Sequence, residues 1–377
     1  MLSVIKNQCS GCMACMNICP QGAIIPREDS CGFIYPKVVQ EKCIECGLCI
    51  EVCDFKKEKT YDSTIKKTYG LQHKDKEVLR KSTSGGAFTA ISDWILQKNG
   101  AVIGAVMKED FSVCHETAYT AVERDNMRGS KYVQSATNMI YRDIKTLLKQ
   151  GQYVLFVGTP CQCAGLSSYI GSSYEKLYIV DFLCHGVPSN TFFKEHISYL
   201  EGLEEKNATD YIFRNKYFGW DNQGIQGIAF EGDSFAYAYL TQAYWDFFIN
   251  NVSLRPSCLN CKYRSYHRYS DITIADFWGV EKITRKRPRS GMSLVFVNSD
   301  KGLGLINQLD SVAFFEVPFE QVRYRVSLRP PVSKYDTDEF WKLYREKGYA
   351  ALVERYIDNS LKARFRFTLK KLKRRIL

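Results

Sequence analysis

Tyr153–Leu166 reads YVLFVGTPCQCAGL. Its apolar head, YVLFV, is far short of a membrane span but has the length of a buried strand. Gly158 and Thr159 then supply a tight turn, and PCQCAGL starts a helix. Leu177–Ser189, LYIVDFLCHGVPS, repeats that logic. Upstream, Gly85–Gly100 (GGAFTAISDWILQKNG) reads as a glycine-rich turn opening an amphipathic helix. Ala101–Met107 (AVIGAVM) reads as a strand, and Ser135–Gly151 (SATNMIYRDIKTLLKQG) as a helix stopped by Gly151. Strands alternating with helices predict an α/β domain with a largely parallel sheet. After about Asn207 the strands shorten and aromatics increase, which predicts an α+β extension.

Toward the N-terminus the pattern is set by cysteines. CSGCMACMNICP (Cys9–Pro20) and CIECGLCIEVCD (Cys43–Asp54) share their cysteine gaps, and the second copy closes on Asp54 where the first has Pro20. Between them, Gly22–Val39 reads as short strands joined by a turn. A polar stretch follows, Asp54–Thr83, rich in Lys and acidic residues and poor in apolar periodicity. It is read as a linker or wrapping segment.

The bulk numbers fit a multidomain globular chain. With 377 residues, 45% hydrophobic and 14% aromatic, it can bury a sizeable interior in two or three domains. The N-terminal MLSVIKNQCSGC lacks a secretory apolar run, and no stretch reaches the length of a membrane span, so a cytoplasmic location is expected. In a reducing compartment fifteen cysteines point to metal rather than to disulfides.

Thiolates are the ligands of iron–sulfur clusters. In a two-cluster run three cysteines hold one cluster and the fourth reaches the other. Cys9, Cys12, Cys15 and Cys53 then form one set, and Cys43, Cys46, Cys49 and Cys19 the second. Gly11, Ala14 and Gly47 let backbone amides approach the sulfurs. Structural zinc also uses CxxC pairs, but it wants four ligands in two pairs, which a twice-repeated group of four does not match. The expectation is an α+β ferredoxin-like domain over residues 1–59, carrying two 4Fe-4S clusters.

Four further cysteines are scattered: Cys161 and Cys184 where predicted strands end, and Cys258 and Cys261 in RPSCLNCKY. Carboxyl ends of parallel strands build sites, so a CxxC loop could complete a four-thiolate pocket there. A zinc site or buried thiols would account for the same spacing.

STSGGAFTAI (Ser82–Ile91), GSKYVQS (Gly129–Ser135), VLFVGTPCQCAGL, DFLCHGVPS (Asp181–Ser189), RPSCLNCKY (Arg255–Tyr263) and SDITIADFWG (Ser270–Gly279) occur in this order. Together they resemble the coenzyme F-420 hydrogenase/dehydrogenase beta-subunit family, here behind a two-cluster ferredoxin; the resemblance covers roughly residues 1–330. It implies FAD beside a 4Fe-4S cluster, with Cys161, Cys184, Cys258 and Cys261 holding that third cluster. Relatives include chlorophyll-derivative reductases and proteins encoded near bacterial polysaccharide genes. Cys163 stands where the family usually has an apolar residue and is read as a bystander. Cys31 and Cys114 are read as ordinary buried thiols.

The implied domains are 1–59, a linker at 60–81, a flavin and 4Fe-4S domain at 82–335, and a basic helical tail at 336–377. Three clusters of about −2 each, counted with their ligands, would reduce the formal charge of +11 to about +5. Bulk charge therefore gives no argument for a nucleic-acid partner.

FAD needs a seat for its pyrophosphate, and a glycine turn into a helix N-terminus offers free amides. Ser84, Gly85 and Gly86 have that form, although alone they also read as a plain helix cap. Ser130 and Lys131 add a hydroxyl and a cation; Gly158 and Thr159 adjoin the proposed ligand Cys161. His185 could hydrogen-bond a sulfur or, with Lys131, serve catalysis; a packing role fits equally. Arg214 and Lys216 could grip an anion or sit on a surface strand, and Asp276 reads as a turn tie. No GxGxxG follows a strand, which argues against an ordinary nicotinamide domain.

The expected function is an iron–sulfur flavoprotein oxidoreductase. It would pass electrons from ferredoxin or another redox partner through the clusters to FAD and an organic acceptor, of F-420 type or from a glycan pathway. The alternative is an electron-transfer subunit without its own substrate. The tail from Ser360, SLKARFRFTLKKLKRRIL, carries eight Lys or Arg and no acid, with Leu361, Phe365, Leu369, Leu372 and Ile376 on one helical face. Two readings stand for it: peripheral contact with the inner membrane face, or docking on its own protein.

Overall fold

The computed structural model describes residues 7–56, 64–220, 225–285 and 288–376, the last four of these without their side chains. Residues 1–6, the head of the expected linker (57–63) and the side chain of Ile376 lie outside the described residues. Among the described residues, twelve strands run in chain order: β1 Ile24–Glu28, β2 Ile34–Val38, β3 Lys67–His73, β4 Ala101–Met107, β5 Val113–Ala118, β6 Val154–Val157, β7 Leu177–Phe182, β8 Ala208–Ile212, β9 Gly227–Phe230, β10 Ile272–Asp276, β11 Ser293–Val297 and β12 Val312–Glu316.

Eight strands form one sheet in the order β12-β3-β11-β10-β7-β6-β4-β5. Its centre, β10-β7-β6-β4, is parallel, and the flanking pairs are antiparallel. The parallel strands are mostly apolar because both faces of the sheet centre are covered. Val102, Leu155, Tyr178 and Val180 pack with helix Ala87–Gln97 on one face. Ile103, Val154, Phe156, Leu177 and Ile179 pack under helices Ile140–Lys149 and Pro160–Ile170 on the other. Neighbouring residues thus alternate between the faces. The α/β class with a parallel centre agrees with the sequence expectation.

The segment read as a linker needs correction. Lys67–His73 is an interior strand, hydrogen-bonded to β11 and β12, and Lys76–Lys81 is a helix capped by Asp75. Gly70 leaves the room that the Phe315 and Phe277 rings fill; a Cβ there would lie 2.5 Å from Phe315.

Residues 7–56 fold as the hairpin β1-β2 between two short helices, Ala14–Ile18 and Leu48–Glu51. This unit is packed into the larger domain. Phe33 and Tyr35 enter an aromatic core with Phe192, Tyr244, Phe247, Phe340 and Trp341, while Ala14 and Val52 join the core beneath Pro160–Ile170. The expected α+β extension is the pair β8-β9 with helix Ala243–Ile249. Helix Thr337–Tyr356, broken at Gly348, and helix Leu361–Ile376 form the tail.

Candidate redox site

The cysteines assemble in three groups of four. Cys9, Cys12 and Cys15 lie within electrostatic reach of one another and of Cys53. Cys49 is within reach of Cys46, Cys19 and Cys43, and all four line one small cavity. Cys184 is within reach of Cys258, Cys161 and Cys261. The first and third groups are neighbours, since Cys12 lies within electrostatic reach of Cys161.

Burial pushes the thiol of Cys161 up to about 11 and those of Cys12 and Cys258 up to about 12. Buried sulfurs of this kind stay protonated unless a metal takes the proton's place. Among the described residues, no three His, Cys, Asp or Glu side chains converge as a single metal ion requires. One zinc ion draws its sulfurs to about 2.3 Å; a four-iron cube is larger and takes its thiolates at separate corners. The eight thiols of the dicluster segment, in two sets of four, fit that donor requirement.

Local backbone explains the loops. Gly11, Met13, Glu45 and Gly47 all have positive φ, folding each CxxCxxC run tightly. Long-range bonds then fix the first run. Arg255, fully buried, donates to the carbonyls of Cys9 (2.8 Å) and Ile34 (3.0 Å) and to Gln134 Oε1 (2.8 Å). Thr137 donates to Cys12 O at 3.1 Å, and Arg142 donates to the carbonyls of Asn17 and Cys19.

Beside the third group lies a cavity of about 650 Å³. Its wall includes Ser84, Gly86 and Thr89 at the head of helix Ala87–Gln97, then Ser130 and Lys131, then Gly158 and Thr159. Cys161, Cys184, Cys258 and Cys261 line it too. Lys216 holds the glycine turn, donating to Ser84 O and Leu79 O at 2.6 Å each and to Ser290 O at 2.5 Å. That ammonium is therefore spent on carbonyls rather than on an anion. Thr83 Oγ1 accepts from Ser130 N at 3.0 Å, joining two of the walls.

Gly85 is a correction. It faces the sheet rather than the cavity: its amide donates to Ser293 Oγ at 2.9 Å, and a Cβ would lie 2.3 Å from Leu71 O. Its role is close packing. Lys131 lines the cavity, but its ammonium donates to Arg128 O at 3.0 Å and Asn126 O at 3.2 Å, and burial lowers it to about 8. His185 packs edge-on against Phe248, and its Nε2 is buried with no hydrogen-bond partner among the described residues. Burial lowers its pKa, which keeps it neutral. Arg214 pairs with Asp276, which also accepts from Trp220 Nε1 at 3.0 Å. Asp276 is thus a tie, as expected, and lies on the cavity wall. Cys163 is fully buried outside the groups, whereas Cys31 and Cys114 are only half-buried, which corrects the reading of both as buried.

Four cavity residues escaped sequence reasoning. Arg264, Arg268 and Arg325 line the cavity, each with a buried Nε lacking a partner among the described residues. The basic run after Cys261, KYRSYHR, was the available signal. His115 bonds Ser135 Oγ (2.8 Å) and Val157 O (3.0 Å), bracing two walls, and burial lowers it to about 4.

Residues 151–318 match the family described as the C terminus of the coenzyme F420 hydrogenase/dehydrogenase beta subunit. Residues 8–57 match the 4Fe-4S dicluster domain. Just under half of the chain thus resembles this beta-subunit family. With the 4Fe-4S dicluster match at its head, it is an iron–sulfur protein related to that beta subunit. A Methanocaldococcus jannaschii protein, Uncharacterized protein MJ1349, is 28% identical over 205 residues, 45% of this chain and 55% of the relative. The chain thus spans about half the length of the curated relative it matches. A chain from the F420-reducing NiFe hydrogenase complex of Methanosarcina barkeri superposes with a TM-score of 0.46 at 19% identity, over 80% of this chain and 97% of that one. Among the described residues no helix is long and apolar enough to cross a membrane.

Proposed function

We propose that this protein is a flavin-dependent oxidoreductase with three 4Fe-4S clusters and FAD. The observation that carries the reading is the shared wall of the large cavity. It combines a helix N-terminus, a basic lining and the Cys161, Cys184, Cys258, Cys261 group. Among its lining residues, Arg128, Lys131, Arg214, Arg264, Arg268 and Arg325 are cationic, and Asp276 is the acidic one. Such a surface suits a ligand carrying phosphates.

In this reading Ser84, Gly86 and Thr89 hold the pyrophosphate at the helix head, with Ser130, Lys131, Gly158 and Thr159 along its flank. A bound flavin supplies the exchange between one-electron and two-electron chemistry that clusters lack. His185 lines the cavity beside the cluster thiols, and the arginines orient the anionic groups. Electrons enter from ferredoxin or another redox protein at the exposed second run, pass Cys12 to Cys161, and leave to an organic acceptor of F-420 type or from a glycan pathway.

Anaerobically purified protein should hold about twelve irons and one FAD per chain. Cys258→Ser should lower iron by about four atoms and leave the dicluster domain filled. A preparation with full iron that neither carries nor binds added FAD would defeat the reading. The family's description as a beta subunit favours a second one, an electron-transfer subunit without its own substrate; the isolated chain would then show no turnover with any acceptor.

A further inference from the structure

The redox reading leaves helix Leu361–Ile376 unused. Two different stripes run along it. Ala363, Phe367 and Lys371, spaced by four, are the half-buried positions between Leu361 and Leu372. They dock the helix: Phe367 meets Tyr239 edge-on at 5.6 Å, Lys371 donates to Tyr237 O at 2.7 Å, and the helix packs on the turn Lys216–Phe218. The helix is therefore held to its own protein, as one of the two sequence readings required.

The second stripe faces outward. Leu361, Phe365, Leu369 and Leu372 are 86%, 64%, 40% and 50% exposed. At 3.6 residues per turn they fall within an arc of about 80°, roughly opposite the docked side. Lys362, Arg364 and Arg366 flank them, Lys370 lies nearer the docked stripe, and all four are exposed. The docking surface thus takes the narrow stripe and leaves the larger apolar one in water. A helix whose purpose was packing would turn the other way.

We propose that Leu361–Ile376 is an interfacial helix that seats the protein on an anionic phospholipid surface. Charge selects this occupant. Ser360–Leu377 carries eight Lys or Arg and no acid, so a second copy would bring the same positive face against it. An anionic bilayer offers apolar depth for the leucines and phenylalanine, and negative headgroups for the flanking cations.

The test is co-sedimentation of the full-length protein with vesicles of phosphatidylglycerol and phosphatidylcholine, or of phosphatidylcholine alone. Wild type should pellet with the anionic vesicles and stay in solution with the neutral ones, and high salt should weaken binding. A variant carrying Leu361→Ser, Phe365→Ser, Leu369→Ser and Leu372→Ser keeps every charge and should bind on the order of tenfold or more weakly. Its iron content and melting should be unchanged, because these side chains touch solvent. A second variant, Lys362→Gln with Arg364→Gln, Arg366→Gln and Lys370→Gln, should lose the preference for phosphatidylglycerol. Wild type remaining in the supernatant would overturn the proposal. So would serine-variant binding equal to wild type, or a wild-type dimer that the serine variant dissolves without any vesicle binding.

Discussion

The two cysteine runs share their gaps and differ in what surrounds them. In the first, Met13, Ala14, Met16 and Cys19 are buried, and Arg255, Thr137 and Arg142 grip its carbonyls. In the second, Cys46 is exposed, Ile44 is 60% exposed, and Gly47 has no neighbour within 4 Å of an added Cβ. Spacing sets the cage, and long-range contacts set which way it faces. One cage looks inward to Cys161; the other looks out, where a redox partner can reach it.

The closing residue follows the same division. Asp54 is buried, pairs with Lys262 at 3.1 Å and accepts from Tyr263 Oη at 2.8 Å. Those two residues directly follow Cys261. Where the first run ends in proline, the second ends in a carboxylate that ties Cys53 to the third group's loop.

The largest effect is expected at Arg255, the main clamp on the inward run. Arg255→Leu would strand the Gln134 amide oxygen and two carbonyls in a dry interior, at a cost on the order of 4 kcal/mol. Denaturant melts should show the loss, and iron should leave the first run while the second stays filled. Equal iron loss from both runs would break the contrast between a clamped cage and a free-standing one.

What the sequence shows of this contrast is uneven. The cages were legible because cysteine gaps and positive-φ glycines act within a few residues. The parallel sheet centre was legible because YVLFV and LYIV form near-continuous apolar runs, as doubly covered strands do. β3 was not: KTYGLQH has few apolar residues, and its cover comes from Phe277 and Phe315, more than two hundred positions away. Gly85 misled for a related reason. A glycine that admits a phosphate and one that admits a neighbouring strand look alike in one dimension. Arg255, Arg325 and His115 carry no local pattern, because their partners are assembled by topology.

A smaller effect sharpens the comparison through pH. His115 braces Ser135, in the loop whose Gln134 and Thr137 contact the first run. Burial holds its folded pKa at about 4, below the ordinary 6.5. Between those values the unfolded chain binds the proton more readily, so stability is full above about 6.5 and falls as pH drops toward 4. At about 1.4 kcal/mol per unit the loss approaches about 3 kcal/mol. Melts across this range should show it, and acid should release iron from the inward run before the outward one. His115→Gln should flatten the dependence. Unchanged acid sensitivity in that variant would move the cause elsewhere.

The smallest effect separates the two runs most cleanly. Gly165 lies on helix Pro160–Ile170, where an added Cβ would sit 2.8 Å from Cys12 Sγ. Gly165→Ala gains helix propensity but crowds that sulfur, leaving a net cost of about 1 kcal/mol. Gly47→Ala meets no neighbour but must adopt φ +80°, also at about 1 kcal/mol. Melting should hardly tell the two variants apart. Iron analysis and electron paramagnetic resonance should, with Cys12→Ser and Cys46→Ser as references. Gly165→Ala should perturb only the signal that Cys12→Ser removes, and Gly47→Ala only the one that Cys46→Ser removes. If both glycine variants disturbed one signal, the cages would not be the separately supported units that their surroundings make them.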